Sequence, residues 1–165
     1  MFYPGFADKA QRYQFFRAVS KAMREKLQGE LRNFADHTEE GNNWMRLTYP
    51  ANFPYGFYEL QFATDKSENN TRIYGAGHKT VLSFYYGNKG KLIKWLAAIN
   101  AQQAAIESAF GQKVVIGRWS ENYVSVGLRL AQEKYDIQPD PFANTFARFI
   151  QVTYPPISLA YQVCR

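Results

Sequence analysis

The residues with the most chemistry to offer are a few scattered acids, two histidines and a surplus of cations. Asp36, His37, Glu39 and Glu40 fall in a polar connector, NFADHTEEGNN, and Glu59 sits in an alternating segment, FYELQFAT. A metal-dependent nuclease of the PD-(D/E)XK type needs an acidic pair to hold a divalent cation. It usually also has a lysine two residues past the second acid to assist the attacking water. Asp36 with Glu59 is the best such pair in the chain, but Gln61 stands at the lysine position. The connector acids match no metal-ligand spacing, and such clusters are usually solvated. His78-Lys79-Thr80 is a lone His-x-Thr unit; a two-histidine phosphodiesterase needs a second, and His37 is followed directly by Thr38. Gly75-Ala76-Gly77 lacks the spacing and the trailing Lys-Ser/Thr of a phosphate loop. These residues lead us to expect no metal, no cofactor and no catalytic site, with a nuclease as the least favoured of three alternatives.

The cations are more suggestive. Twenty Lys and Arg against fourteen Asp and Glu give a net charge of +6 and a pI near 9.4. That is the electrostatic footprint of a nucleic-acid-binding domain. Arg17, Lys21 and Arg24 recur at i, i+4 and i+7 and form a ridge able to lie along a phosphate backbone, although an ordinary solvated face has the same spacing. Lys89, Lys91 and Lys94 crowd the start of a central helix, where the macrodipole is already positive and each cation costs about 0.3–1 kcal/mol. A bound phosphate would offset that cost; three solvated lysines fit equally. Arg72, Arg118 and Arg129 fall in expected strands and complete the candidate nucleic-acid-binding set.

Aromatic residues make up 17% of the chain, with 12 Tyr and 13 Phe. Exposed rings such as Tyr85 or Tyr123 would stack on unpaired bases. Phe53, Tyr55, Tyr154 and Tyr161 fall in expected loops or the tail. They define the second alternative, a contact patch for a protein partner or a second copy of the chain. The favoured expectation is a non-catalytic nucleic-acid-binding or accessory module with DNA as its partner.

The elements that would position these residues follow from periodicity. Ala7 to Leu31 reads as a first helix with Phe15, Phe16, Val19, Met23 and Leu27 on its apolar stripe. Strands are expected at Trp44–Tyr49, Phe57–Thr64 and Thr80–Tyr86. DKSENN between them reads as a turn, and Thr71–Gly77 as the possible start of a further strand. Asn88 to Phe110 reads as one long helix, with Asn88 as N-cap and Gly111 as a left-handed C-cap. A hairpin follows, placing Val124, Val126, Leu128 and Leu130 inside and Tyr123, Ser125, Gly127 and Arg129 outside. AQEKYDIQP reads as a connector. Asp140 and Pro141 start a last helix that Pro155-Pro156 ends, leaving residues 157–165 as a tail. The expected architecture is a single α+β domain over 1–165, with its core at about 8–156. It is built on a mostly antiparallel sheet of five to six strands with helices packed on one face.

Several of these pieces resemble the bacterial domain-of-unknown-function family 4268 from about Gln11 to Pro156. They are QRYQFFRAVSKAM, GFYELQF, AAIESAFG with the strand ending in RW, and FANTFARFI. Members of that family are often appended to PD-(D/E)XK nuclease-like domains, so the resemblance implies a setting in DNA restriction or defence. It assigns no active site. No apolar run approaches the ~20 residues that span a bilayer. The opening residues lack a signal-peptide pattern, and the single Cys164 offers no disulfide framework. A cytoplasmic, bacterial-type protein away from membranes is expected.

Overall fold

Alternation of apolar and polar residues builds the centre of the molecule. In the computed structural model, which describes residues 6–131 and 138–165, six strands form one antiparallel sheet. They are β1 (Ala35–Asp36), β2 (Trp44–Thr48), β3 (Gly56–Ala63), β4 (Lys79–Tyr86), β5 (Val115–Arg118) and β6 (Val124–Leu130), in the order β1-β2-β3-β4-β6-β5. Met45, Leu47, Tyr58, Leu60, Phe62, Leu82, Phe84, Val126 and Leu128 lie on one face and are buried. In β6, Val124, Val126, Leu128 and Leu130 face the core as expected, but Ser125 and Gly127, expected outside, are buried as well, on the sheet's other face.

Helices cover that face. They are α1 (Lys9–Lys26), α3 (Leu92–Asn100), α4 (Gln103–Phe110) and α5 (Pro139–Val163), with α5 in contact with each of the other three. Asp8 caps α1 by accepting from the Gln11 amide, and Phe16 stacks on Phe62 of the sheet at 5.4 Å. Trp95 of α3 lies flat on Tyr86 at 4.6 Å, and Phe110 meets Phe149 edge-on. Tyr58 Oη lies 2.9 Å from Thr153 Oγ1, whose own hydroxyl donates to the Phe149 carbonyl. The sheet is thereby bonded to the middle of α5 through a buried phenol.

The α+β class and the antiparallel sheet are as expected, and several local boundaries are not. The long central helix is broken. A 3-10 turn at Lys89–Lys91 precedes α3, and α3 is separated from α4 at Ala101-Gln102, where the Gln102 amide bonds Ile99 rather than the residue four back. Asn88 makes no side-chain cap, while Gly111 does take the left-handed conformation at φ 81°. The first helix stops at Lys26, and its expected last turn is a separate 3-10 turn at Gly29–Arg32. Asp65-Lys66 do turn, but the rest of DKSENN and the start of the strand expected at Thr71–Gly77 form α2 (Glu68–Tyr74), capped by the Ser67 hydroxyl on the Asn70 amide.

The last helix is N-capped at Gln138 with Pro139 leading it, so Asp140 lies inside the first turn. It also runs straight through Pro155 and Pro156 to Val163. Each proline forfeits an amide donor, yet Ile157, Ala160 and Cys164 continue the buried stripe of Phe146, Phe149, Ile150 and Thr153. Burial of that stripe outweighs the two lost bonds, and the expected tail is helix, with Ile157, Ala160 and Cys164 in the core and Leu159 and Val163 exposed. Most of the connector expected after β6, residues 132–137, lies outside the described residues.

Candidate functional site

The sheet's other face is only partly covered. There α2 lies over β4 and β6. Gly127 has no side chain because a Cβ there would run into Tyr74 Oη, and it would sit only 2.8 Å from the Leu82 carbonyl. Asn70 of α2 donates to Gln61 Oε1 and accepts from Trp119 Nε1, at 2.9 and 3.0 Å. Over β2 and the first half of β3 no described residue covers the face. A groove of about 800 Å³ opens there, walled by Trp44, Arg46, Phe57, Tyr123 and the turn carrying Tyr55.

Register puts the groove's chemistry together. Arg46 of β2 stands directly opposite Glu59 of β3, and Nε and Nη2 both donate to Glu59 Oε2, at 3.3 and 3.0 Å. The guanidinium is sandwiched between Trp44 and Phe57, at 4.2 and 3.8 Å from their ring centroids. From Phe57 the aromatic surface runs on. Its ring stacks on Tyr85 at 5.0 Å and meets Tyr123 at 5.8 Å, and Trp119 follows 5.5 Å from Tyr85. Strands lie about 4.8 Å apart, so the row crosses roughly 14 Å of sheet. Trp44, Phe57, Trp119 and Tyr123 are half-exposed, whereas Tyr85 is buried beneath them. Tyr123 rests on Gly87, where a Cβ would meet its ring.

Two acids bear on the groove's charge: Glu39, exposed on its wall, and Glu59, buried against Arg46. Glu59 is the perturbed one. Burial raises its carboxyl to about 7, against a lowering by the charge and hydrogen bonds of Arg46. Burial thus works against the charge that would cancel Arg46. Arg46 Nη1 has no hydrogen-bond partner among the described residues and stays available at the groove floor.

At the groove's end the chain makes a tight turn, and Tyr55 occupies it at φ 63°, in the left-handed region. A side chain there costs roughly 1–2 kcal/mol, and glycine is the usual occupant. The Gly87 amide fixes the turn by donating to the Tyr55 carbonyl at 2.8 Å, and the ring stands 66% exposed.

The cations expected from sequence fall in three separate places. Arg17, Lys21 and Arg24 do border one cleft, along α1 on the helical side of the sheet. Arg24 is taken up there by the carbonyls of Arg32 and Phe34 and by the Phe34 ring at 3.9 Å, and Asp36 shares the cleft. Arg72 donates to the carbonyls of Arg118 and Trp119, Arg118 to that of Glu121, and Arg129 to those of Tyr74 and Ala76. Arg72 and Arg129 tie α2 and its end to the β5–β6 hairpin, Arg118 bonds within the hairpin's own turn, and β5, β6 and α2 rather than three strands carry the three. Lys89, Lys91 and Lys94 are exposed at the start of α3, and Lys91 borders a second, smaller concavity.

The acidic pair does not converge. Asp36 is paired with Leu47, on the core side of the sheet, and Glu59 with Arg46, on the open side. Asp36 is engaged by Thr38, and no group of three or more His, Cys, Asp or Glu suited to a metal occurs among the described residues. Of the four residues expected in a contact patch, Phe53 and Tyr154 are buried and Tyr161 packs on Phe53 at 5.1 Å; Tyr55 alone stands out. No described helix is long and apolar enough to cross a membrane.

The sequence did not single out Trp44, Arg46 and Phe57. Their alternation with Met45, Leu47 and Tyr58 was the available signal. Compared with family models, with curated proteins and with solved structures, the chain has no match.

Proposed function

We propose that the groove is a binding site for single-stranded nucleic acid and that the protein acts as a non-catalytic binding module. The observation that carries this is Arg46 held between Trp44 and Phe57 on a part of the sheet that no described residue covers, with Nη1 unbonded among the described residues. Aromatic faces accept any base by stacking, worth about 1–3 kcal/mol per base, and a cation among them meets the phosphates. Rings spread over a shallow sheet suit unpaired bases better than a duplex, whose bases are already stacked. The net charge of +6 favours a polyanion at any approach. The restriction or defence setting implied by the sequence resemblance remains part of this proposal, and the groove does not bear on it.

The test is fluorescence anisotropy of labelled single-stranded and duplex DNA, and single-stranded RNA, across a salt series with magnesium or chelator. Single strands are expected to bind more tightly than duplex, with affinity falling as salt rises and the strands left intact. The slope of log affinity against log salt gives the phosphates contacted, at about 0.7 per phosphate for a single strand. Trp44→Ala should weaken binding at least tenfold. Absence of single-strand binding at low salt would overturn the proposal, and magnesium-dependent cleavage would overturn its non-catalytic part.

A further inference from the structure

Pro54 and Tyr55 line two concavities at once. On one side is the aromatic groove. On the other is a pocket of about 280 Å³ whose walls include Asn52, Asn88, Lys91 and Arg165 and no acidic side chain. The groove side carries Trp44, Phe57 and Tyr123 around Arg46, and the pocket side carries the cations Lys91 and Arg165 and two amides beside the Tyr86 and Tyr161 rings. The ridge between them is a single exposed tyrosine in a conformation that ordinarily selects glycine. A bulky side chain at a position that strains it points to use of the ring. The ridge is also fixed in place. The Gly56 amide donates to the Phe53 carbonyl, the Gly87 amide to the Tyr55 carbonyl, and Tyr161 Oη to the Pro54 carbonyl at 2.9 Å. Lys91 lies in the turn before α3, whose first turn carries no acid and no side-chain cap.

Resting on the groove as the base-binding surface, we propose that the nucleic-acid path continues over Tyr55. A base stacks on the exposed ring, and the next phosphate enters the pocket beside Lys91 and Asn88. The two concavities are then one bipartite site for a single strand, with Tyr55 as the dividing post. This gives Lys91 the anion-binding role and leaves Lys89 and Lys94 outside the path.

Length dependence tests this. The probes are oligothymidylates, a trinucleotide and a decanucleotide, titrated at fixed low salt against the full chain and three variants. Wild type should bind the longer strand more tightly than site statistics alone allow. Lys91→Gln should remove most of that gain, about tenfold, and leave the trinucleotide unchanged. Tyr55→Gly removes the ring while relieving the left-handed backbone, so its thermal midpoint should not fall although its decanucleotide affinity drops. Trp44→Ala should lower affinity for both lengths. Equal affinities of wild type and Lys91→Gln for the decanucleotide would overturn the bipartite path while leaving the groove standing. Equal losses at both lengths would place Lys91 within the groove's own site and overturn it too. Failure of both oligonucleotides to bind wild type would bring down the groove and this inference together.

Discussion

Arg46 and Glu59 face each other directly across β2 and β3 as a 3.0 Å ion pair in which the acid is buried and the base is about one-third exposed. The asymmetry gives the pair its pH dependence. Glu59 titrates near 7 in the fold and near 4.5 unfolded. Between those values the folded chain holds a proton that the unfolded chain has released. The contribution, of order 3 kcal/mol, is therefore complete below pH 4.5 and is lost as pH rises through 7. Urea midpoints should fall over that window in wild type, and Glu59→Gln should flatten the Glu59 part of the curve. Identical slopes for the two proteins would show that Glu59 does not titrate there.

Removing the base and keeping the acid should be harsher than removing both. Arg46→Met leaves Glu59 buried without its charge partner, and a stranded acid of this kind costs about 3–5 kcal/mol if it stays ionised. Protonation limits that loss, so the destabilisation should be larger at pH 8 than at pH 5. Arg46→Met with Glu59→Gln should recover much of it. Chemical denaturation of the three variants at both pH values is the check.

Gly127 permits the close seat of α2 on the sheet. Gly127→Ala sets a methyl against Tyr74 Oη, Ser83 Oγ and the Leu82 carbonyl. Two of those are side-chain ends, but the carbonyl belongs to the central strand and has little room to move. A loss of about 1–3 kcal/mol is expected, with α2 lifted. Hydrogen exchange should show lost protection in residues 68–74 before the strands are affected.

Gly87→Ala should act on the groove rather than on the fold. Its methyl would push the Tyr123 ring from its seat, and that ring is half-exposed and free to swing. Stability should change by under about 1 kcal/mol, while single-strand affinity drops several-fold. An unchanged affinity would remove Tyr123 from the binding surface.

Pro155 and Pro156 lie in a continuous helix, so replacing them should stabilise it. Pro155→Ala restores an amide donor at an exposed position and should add about 1 kcal/mol or more, since proline costs ~3 kcal/mol in a helix interior before the entropy it removes from the unfolded chain is counted. Ile157→Ala, beyond the prolines and fully buried, should cost about 2–5 kcal/mol. If Ile157→Ala were neutral, residues 157–163 would not be packed as core.

How much could be read in advance depended on how local the cause was. The strands Phe57–Thr64 and Thr80–Tyr86 and the core-facing side of β6 were legible because alternation is carried by neighbours, whereas the burial of Ser125 and Gly127 depends on the distant α2. The end of α5 was not, because Pro155-Pro156 is a strong local stop that only the distant contacts of Ile157, Ala160 and Cys164 override. The groove was half legible. Alternation puts Trp44 and Arg46 on one face and Phe57 and Glu59 on another, but the register that makes those faces one surface is a long-range fact. Counting cations misled for a related reason: Arg24, Arg72, Arg118 and Arg129 are occupied by backbone carbonyls, which no charge count reveals.

The helical layer is closed by α1 against α5, with residue 26 at the end of one and residue 139 at the start of the other. Their contact is expected to form late, once the sheet between them has drawn in, because loop-closure entropy must be met before so distant a contact returns energy. The β3–β4 hairpin, with its short separation, is expected to assemble early, and the α1–α5 seam late. Until that seam shuts, Phe16, Phe62 and Phe142 stay open to water and to other chains. For this molecule the interval of greatest exposure to misassembly falls at the end of folding.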